Sequence, residues 1–214
     1  MPNEQADRSQ GELAFEQLML AIKAGTYKPG DRLREVEVAD RLSLSRTPVR
    51  EALRKLEAEN IIEHRPRVGA VIRTLGQAEV VELYEMRLVL ERTAAEMAAK
   101  HAAEAEVDSL ASINDEIAGS GGGPKAAAIN QTFHNSIYVA ARNRFLLDAA
   151  RAMNNALLLL VPTTLADQAR IDTVVAQHTM ILDAIGAGDI EAAGIAAEAH
   201  LQTSLRYRLM VMRG

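Results

Sequence analysis

Apolar residues recur every three or four positions through most of the chain, the spacing that lines one face of an α-helix. Leu13, Leu18, Ala21 and Ile22 predict a first helix over residues 13–24, ending at Gly25 as a glycine cap. Pro29 and Gly30 mark a turn. Val38, Ala39 and Leu42 form the inner side of a short second helix over residues 35–42, and Val49, Leu53 and Leu56 continue as a third after a break at Ser43 and Leu44. Ser45 is placed to cap that third helix with its hydroxyl, and Pro48 falls in the first turn, where a missing N–H costs little. After Asn60 the period changes. Ile61-Ile62 and Val71-Ile72 are β-branched runs on either side of HRPRVG, a hairpin with Gly69 available for a positive φ. Beyond a hinge at residues 74–76 everything reads helical, with helices expected over residues 77–100, 103–118, 125–142, 144–160, 167–187 and 189–212. The run GSGGGP at 119–124 follows a helix rather than a strand, so it is expected as a mobile loop and not a phosphate cradle.

Two short helices joined by a tight break have the spacing of a helix-turn-helix. On the third helix the polar arc carries Arg46, Thr47, Arg50 and Arg54, spread over roughly 100° on another side from the apolar stripe. Guanidinium groups bond bidentately to a guanine edge or clamp a phosphate, so this face suits a helix lying in the major groove. A hairpin with Arg65 and Arg67 near its tip then reads as a wing. The fold class expected is mainly α: a winged helix-turn-helix over residues 12–75 after a disordered tail at 1–11, then an all-α antiparallel bundle over 76–214. The net charge of −5 looks wrong for a DNA binder until it is divided by position. Residues 32–73 hold ten Arg and Lys against seven Asp and Glu, whereas residues 76–214 hold eleven against seventeen. The chain has no cysteine, which excludes disulfides and thiolate metal sites and suits a reducing compartment. No signal pattern or membrane-length apolar run is visible, so a cytoplasmic protein without membrane contact is expected.

The bundle carries the second chemistry. Val80, Leu83, Leu90, Ala94 and Met97 predict a core stripe over residues 77–100, and Arg87 falls inside it. A guanidinium there needs a partner: an ion pair with Glu91 one turn on, an escape to the edge, or the carboxylate of a bound ligand. Asn130 and His134 share one helix face beside Ile137 and Ala141. His178 falls in a stripe with Val174, Ile181 and Ile185, and His200 shares a face with small neighbours and Tyr207. Any one of these is most simply a hydrogen-bonded core histidine. Three on different helices, with an oxygen donor, would suit a borderline divalent metal such as Zn²⁺, Ni²⁺ or Mn²⁺ with positions open to water or a carboxylate.

Residues 12–75 resemble the winged-helix domain of the GntR family of bacterial transcription regulators, through KPGDRL, SRTPVREAL and LEAEN-II-EHRPRVGAVI. Residues 77–214 resemble the FCD ligand-binding domain of its FadR-like branch, through NQTFH at 130–134, QHTMILDAI at 177–185, and His200 after GDIEAA. The resemblance implies operator contacts at Arg46, Thr47 and Arg50, with Arg54 on or beside that face and the turn carrying Arg67 and Gly69 near the minor groove. It implies a metal on Asn130, His134, His178 and His200, and a small organic acid bound above it with help from Arg87. Two departures stand out. Val36 occupies a position where the family often has arginine, leaving Arg34 as a nearby substitute, and Asn130 replaces a more frequent aspartate, removing a negative charge. The expected function is a homodimeric, ligand-responsive regulator, probable repressor in sense, reading a pseudo-palindromic operator. The rivals are a metal-dependent hydrolase or lyase using the three histidines, and a DNA-binding module with a purely structural bundle.

Overall fold

The computed structural model describes residues 9–213. Most of the tail expected at residues 1–11 lies outside them, and at its inner end Ser9 already caps a helix by accepting from Glu12 N at 3.1 Å. The described elements are α1 Gln10–Lys23, α2 Glu35–Leu42, α3 Arg46–Ala58, β1 Ile62–Arg65, β2 Gly69–Ile72, α4 Gln77–His101, α5 Glu104–Ala118, α6 Gly123–Ala140, α7 Arg144–Leu157, α8 Gln168–Gly186 and α9 Ile190–Val211. Two compact units form. One comprises the described residues up to Leu75 together with Asn154–Val161, the other Gly76–Met153 with the chain from Pro162 onward.

In the first unit α1 and α2 both pack on α3, and the antiparallel pair β1–β2 joins Ile62 to Ile72 and Arg65 to Gly69. The core stripe of α1 is Gly11, Ala14, Leu18 and Ile22: Leu18 and Ile22 are buried as expected, Ala21 is half-buried, and Leu13 is 41% exposed, its place taken by Gly11 and Ala14. Glycine is the cause: a Cβ at residue 11 would collide with the Glu51 side chain on α3, so small residues face inward and let the helices close. Ser45 is the N-cap residue of α3, but its side chain makes no cap hydrogen bond, contrary to expectation. Ser43 instead shapes the turn, taking a left-handed φ of 55° as the cap of α2. Both strands run further toward the tip than the β-branched pairs suggest, and Arg32 adds a bridge to Val71.

In the second unit α4 packs on α9, α8 and α6, while α5 lies on α6 and α8. The stripe of α4 buries Val80, Leu83, Tyr84, Arg87, Glu91, Ala94, Ala95 and Ala98, with Leu90 and Met97 only half-buried. Its alanines permit close approach, and Arg92 ties α4 to α9 through Glu198 at 2.5 Å. The glycine run is a built turn rather than a slack loop. Gly121, Gly122 and Gly123 all have positive φ, Gly123 N donates to Leu165 O at 2.7 Å, and a Cβ on Gly122 would meet the Ala166 carbonyl at 3.1 Å.

These glycines differ in a testable way. Gly121→Ala meets no neighbour and should cost about 1 kcal/mol from its backbone conformation. Gly122→Ala adds a backbone collision and should cost about 2–3 kcal/mol by urea denaturation; equal losses would show that the close approach to residue 166 contributes nothing.

Candidate functional site

The exposed side of α3 is set by what its other side buries. Pro48, Val49, Ala52, Leu53 and Leu56 face the core, so Arg46, Thr47, Arg50 and Arg54 are all exposed. The structure adds a residue that the helix pattern does not single out. Glu35, in the first turn of α2, accepts from Arg50 Nε at 2.8 and 2.9 Å and from Arg46 Nη2 at 2.9 Å. Those bonds, that of Arg50 first, hold the Glu35 carboxyl below its ordinary range and raise Arg50 in turn. With the pair exposed to water, the gain in stability is small. Its effect is geometric, two guanidiniums held side by side across the helix-turn-helix. Arg34 is exposed and paired with Glu37 at 2.8 Å, and Val36 is 53% exposed. At the hairpin tip Arg67 and Gly69 take φ of 64° and 96°, Arg67 points to solvent, and Arg65 is drawn back to Glu63. The Arg32 guanidinium lies 3.9 Å from where a Gly69 Cβ would sit, which brings a further cation to the wing.

Inside the second unit His134, His178 and His200 come together from α6, α8 and α9. Ring centroids are 4.7 to 5.2 Å apart, one ligand atom from each lies within 4.8 Å of the others, and all three are buried. Phe133 stacks on His178 at 3.8 Å and fixes its plane. The hydrogen bonds determine which nitrogen faces inward. His134 Nδ1 lies 2.7 Å from Glu91 Oε2, and a carboxylate can only accept. His178 Nδ1 lies 3.2 Å from Asn114 Oδ1; the amide orientation follows because Asn114 Nδ2 donates to the Val175 carbonyl. His200 Nδ1 lies 3.1 Å from Gln177 Oε1, whose Nε2 donates to Thr203 Oγ1, a hydroxyl already donating to Ala199 O. Every Nδ1 therefore carries its proton, and each ring, when neutral, is left with its lone pair on Nε2.

Two of those lone pairs have no partner within the protein. Nε2 of His134 and of His178, and Oδ1 of Asn130 one turn from His134, are buried without a hydrogen-bond partner. A buried acceptor left unsatisfied costs about 1–3 kcal/mol, so a group of them converging on one point fits a cation. Burial first, then the neighbouring charges, pulls His178 and His200 well below the ordinary imidazole value, which keeps both neutral and able to ligate at pH 7. Arg87 takes the ion-pair alternative: Nε and Nη2 donate to Glu91 Oε1 at 2.9 and 2.7 Å. Burial alone would raise Glu91, but Arg87 and His134 outweigh it and hold its pKa far below the carboxylate range. The expected site residues of the bundle are thus gathered. The acceptor Asn114 lies on a helix stretch with no chemical signature of its own, and Gln177, although it opens the QHTMILDAI run, has a role set by His200 on another helix.

Removing such an acceptor should loosen the histidine without removing it. Asn114→Ala is expected to weaken zinc binding about 10–100-fold in a chelator competition; an unchanged affinity would mean the outer hydrogen bond does not orient His178.

Comparison with known proteins agrees with this geometry. Residues 11–72 match the family described as bacterial regulatory proteins, gntR family, and residues 82–203 match the FCD domain. A probable D-xylose utilization operon transcriptional repressor of Paenarthrobacter nicotinovorans is 34% identical over 88% of this chain and 84% of its own length. The transcriptional regulator YdhC of Bacillus subtilis is 29% identical over 84% of this chain and 82% of its own. Among solved structures, McbR/YncC of E. coli superposes with a TM-score of 0.81 at 20% identity, covering 96% of this chain and 99% of that one, and shares the fold. These relatives are regulators and not enzymes, and nothing in them supports the hydrolase or lyase alternative. The chain belongs to the GntR family and is a transcription regulator, a winged helix-turn-helix followed by an FCD domain.

Proposed function

We propose that this regulator is a repressor that binds a pseudo-palindromic operator as a homodimer in the cytoplasm, and that a small organic acid held at a divalent metal in the FCD domain controls its operator affinity. The observation that carries the reading is the convergence of the three histidines, with Nε2 of His134 and His178 and Oδ1 of Asn130, one turn from His134, buried without hydrogen-bond partners. Zn²⁺, Ni²⁺ and Mn²⁺ all suit imidazole and amide oxygen, and the neutral Asn130 disfavours harder cations. When bound, such an ion supplies a positive centre with positions open to a carboxylate. The chain's own residues do the rest. Asn114, Gln177 and Glu91 hold the rings in one tautomer, Phe133 fixes the plane of His178, and Arg87 neutralises Glu91 and forms part of the effector wall.

At the other end, Arg46, Thr47 and Arg50 read base edges, Arg54 and Arg34 contact the operator beside them, and Arg67 and Gly69 bring the wing to the minor groove. Glu35 sets the spacing of Arg46 and Arg50 in the free protein. Two copies related by a two-fold axis would read inverted half-sites. No described helix is long and apolar enough to cross a membrane, which is consistent with this setting.

Two outcomes check the proposal. Arg50→Ala should cost about 1–3 kcal/mol of discrimination between operator and unrelated duplex; full discrimination in a binding titration would remove α3 as the reader. Operator affinity should also change when the metal is chelated, and a small organic acid should shift it only in metal-loaded protein. By reciprocity the acid must bind the operator complex more weakly by the same factor that it weakens the operator. An operator affinity indifferent to chelator and to every acid would leave a DNA-binding module with a structural bundle.

A further inference from the structure

The second unit holds another interior guanidinium, and it is in a different electrostatic position from Arg87. Arg170 is 2% exposed, on α8 in the same stripe as Val174 and His178. Its Nη2 donates to Ser204 Oγ at 2.9 Å and its charge lies over the Tyr207 ring at 4.3 Å. Its Nε and Nη1 are buried and have no acceptor. Among the described residues no carboxylate pairs with it, and Asp167, a turn away, spends its oxygen capping α8 through Arg170 N at 2.9 Å. Arg87, by contrast, already meets Glu91 with two donors, and Glu91 meets His134 with its second oxygen. A buried charge left without a counter-ion is expensive, and its N–H groups are best satisfied by an anion with two oxygens.

Position ties this group to the histidines. Ser204 lies four residues beyond His200 on the buried face of α9, a rise of about 6 Å. On both α8 and α9 the guanidinium and its partner continue the interior line on which His178 and His200 stand.

We propose that Arg170 is the anchor for the effector's carboxylate, with Ser204 and the Tyr207 ring holding its fork, and that the effector is a short hydroxy- or dicarboxylic acid. One carboxylate meets Nε and Nη1 of Arg170, and a second oxygen donor about one helical turn away reaches the histidine cluster. The assignment rests on the effector reading of this domain and moves the primary anion contact from Arg87, whose charge is already balanced, to a residue not previously considered. Burial pulls the Arg170 pKa down, and only partly do Tyr207, Tyr84 and Asp167 restore it, as expected where the counter-ion arrives with the ligand.

The test uses full-length, zinc-loaded protein titrated calorimetrically with malonate, lactate and citrate, alongside Arg170→Met and Arg170→Lys. Wild-type protein should bind at least one of these acids, Arg170→Met should bind it at least about tenfold more weakly, and Arg170→Lys should recover part of the loss. Zinc stoichiometry should be the same in all three proteins, which separates a lost anchor from a lost fold. Metal-free Arg170→Met should also melt above the wild type, because it removes an uncompensated interior charge. Acid binding by Arg170→Met equal to the wild type would return the anchor role to another group while leaving the effector reading intact. Failure of the wild type to bind any of the acids would overturn the carboxylate reading and the anchor with it.

Discussion

A neutral imidazole has one N–H and one lone pair, and the interior of the FCD domain is organised by where each of them goes. Glu91 on α4, Asn114 on α5 and Gln177 on α8 take the three Nδ1 protons. The consequence is forced. On neutral rings Nε2 of His134, His178 and His200 then presents the lone pair, and the packing of α4, α5, α6, α8 and α9 brings the three rings to one place. Such an interior would be poor as a structural core, since it desolvates acceptors without repaying them. It is a good preformed receptor for a cation, with ligand orientation settled by the fold beforehand.

Charge within the unit follows the same logic. Glu91 serves two partners, compensating Arg87 through Oε1 and orienting His134 through Oε2. Asn130 would contribute oxygen without charge, so the Glu91 carboxylate on the far side of the His134 ring would be the nearby source of negative potential for a bound cation. Arg170 remains unbalanced. On the exposed face of α3 the arrangement is reversed: a single half-buried carboxylate, Glu35, is shared by Arg46 and Arg50. There water screens the pair, so the contact arranges the arginines without committing their charge.

How much of this could be read from the chain depended on whether the signal was periodic. The helices of both units are legible because a buried stripe leaves a period of 3.6, and His134, His178 and His200 fall inside such stripes and meet in the interior. At the start of α1 the inner face is Gly11 and Ala14 rather than Leu13, because small residues give no hydropathy signal where backbones close together. Ser45 was expected to bond in the turn it opens and does not, while Ser43 carries the turn by its backbone conformation. The glycine run reads as slack, yet Gly122 is needed where the chain passes the Ala166 carbonyl, a neighbour distant in sequence. Glu35 and Asn114 are ordinary residues locally, and they and Gln177 become functional only through partners on other helices.

The tautomeric state of the three buried histidines is measured most directly by long-range ¹H–¹⁵N correlation of the imidazole rings in metal-free protein. His134, His178 and His200 should each show a protonated Nδ1 and an Nε2 shift typical of an unprotonated nitrogen, with Nε2 responding when zinc is added. A protonated Nε2 on any of the three, or zinc addition that leaves all three Nε2 shifts unmoved, would contradict this reading.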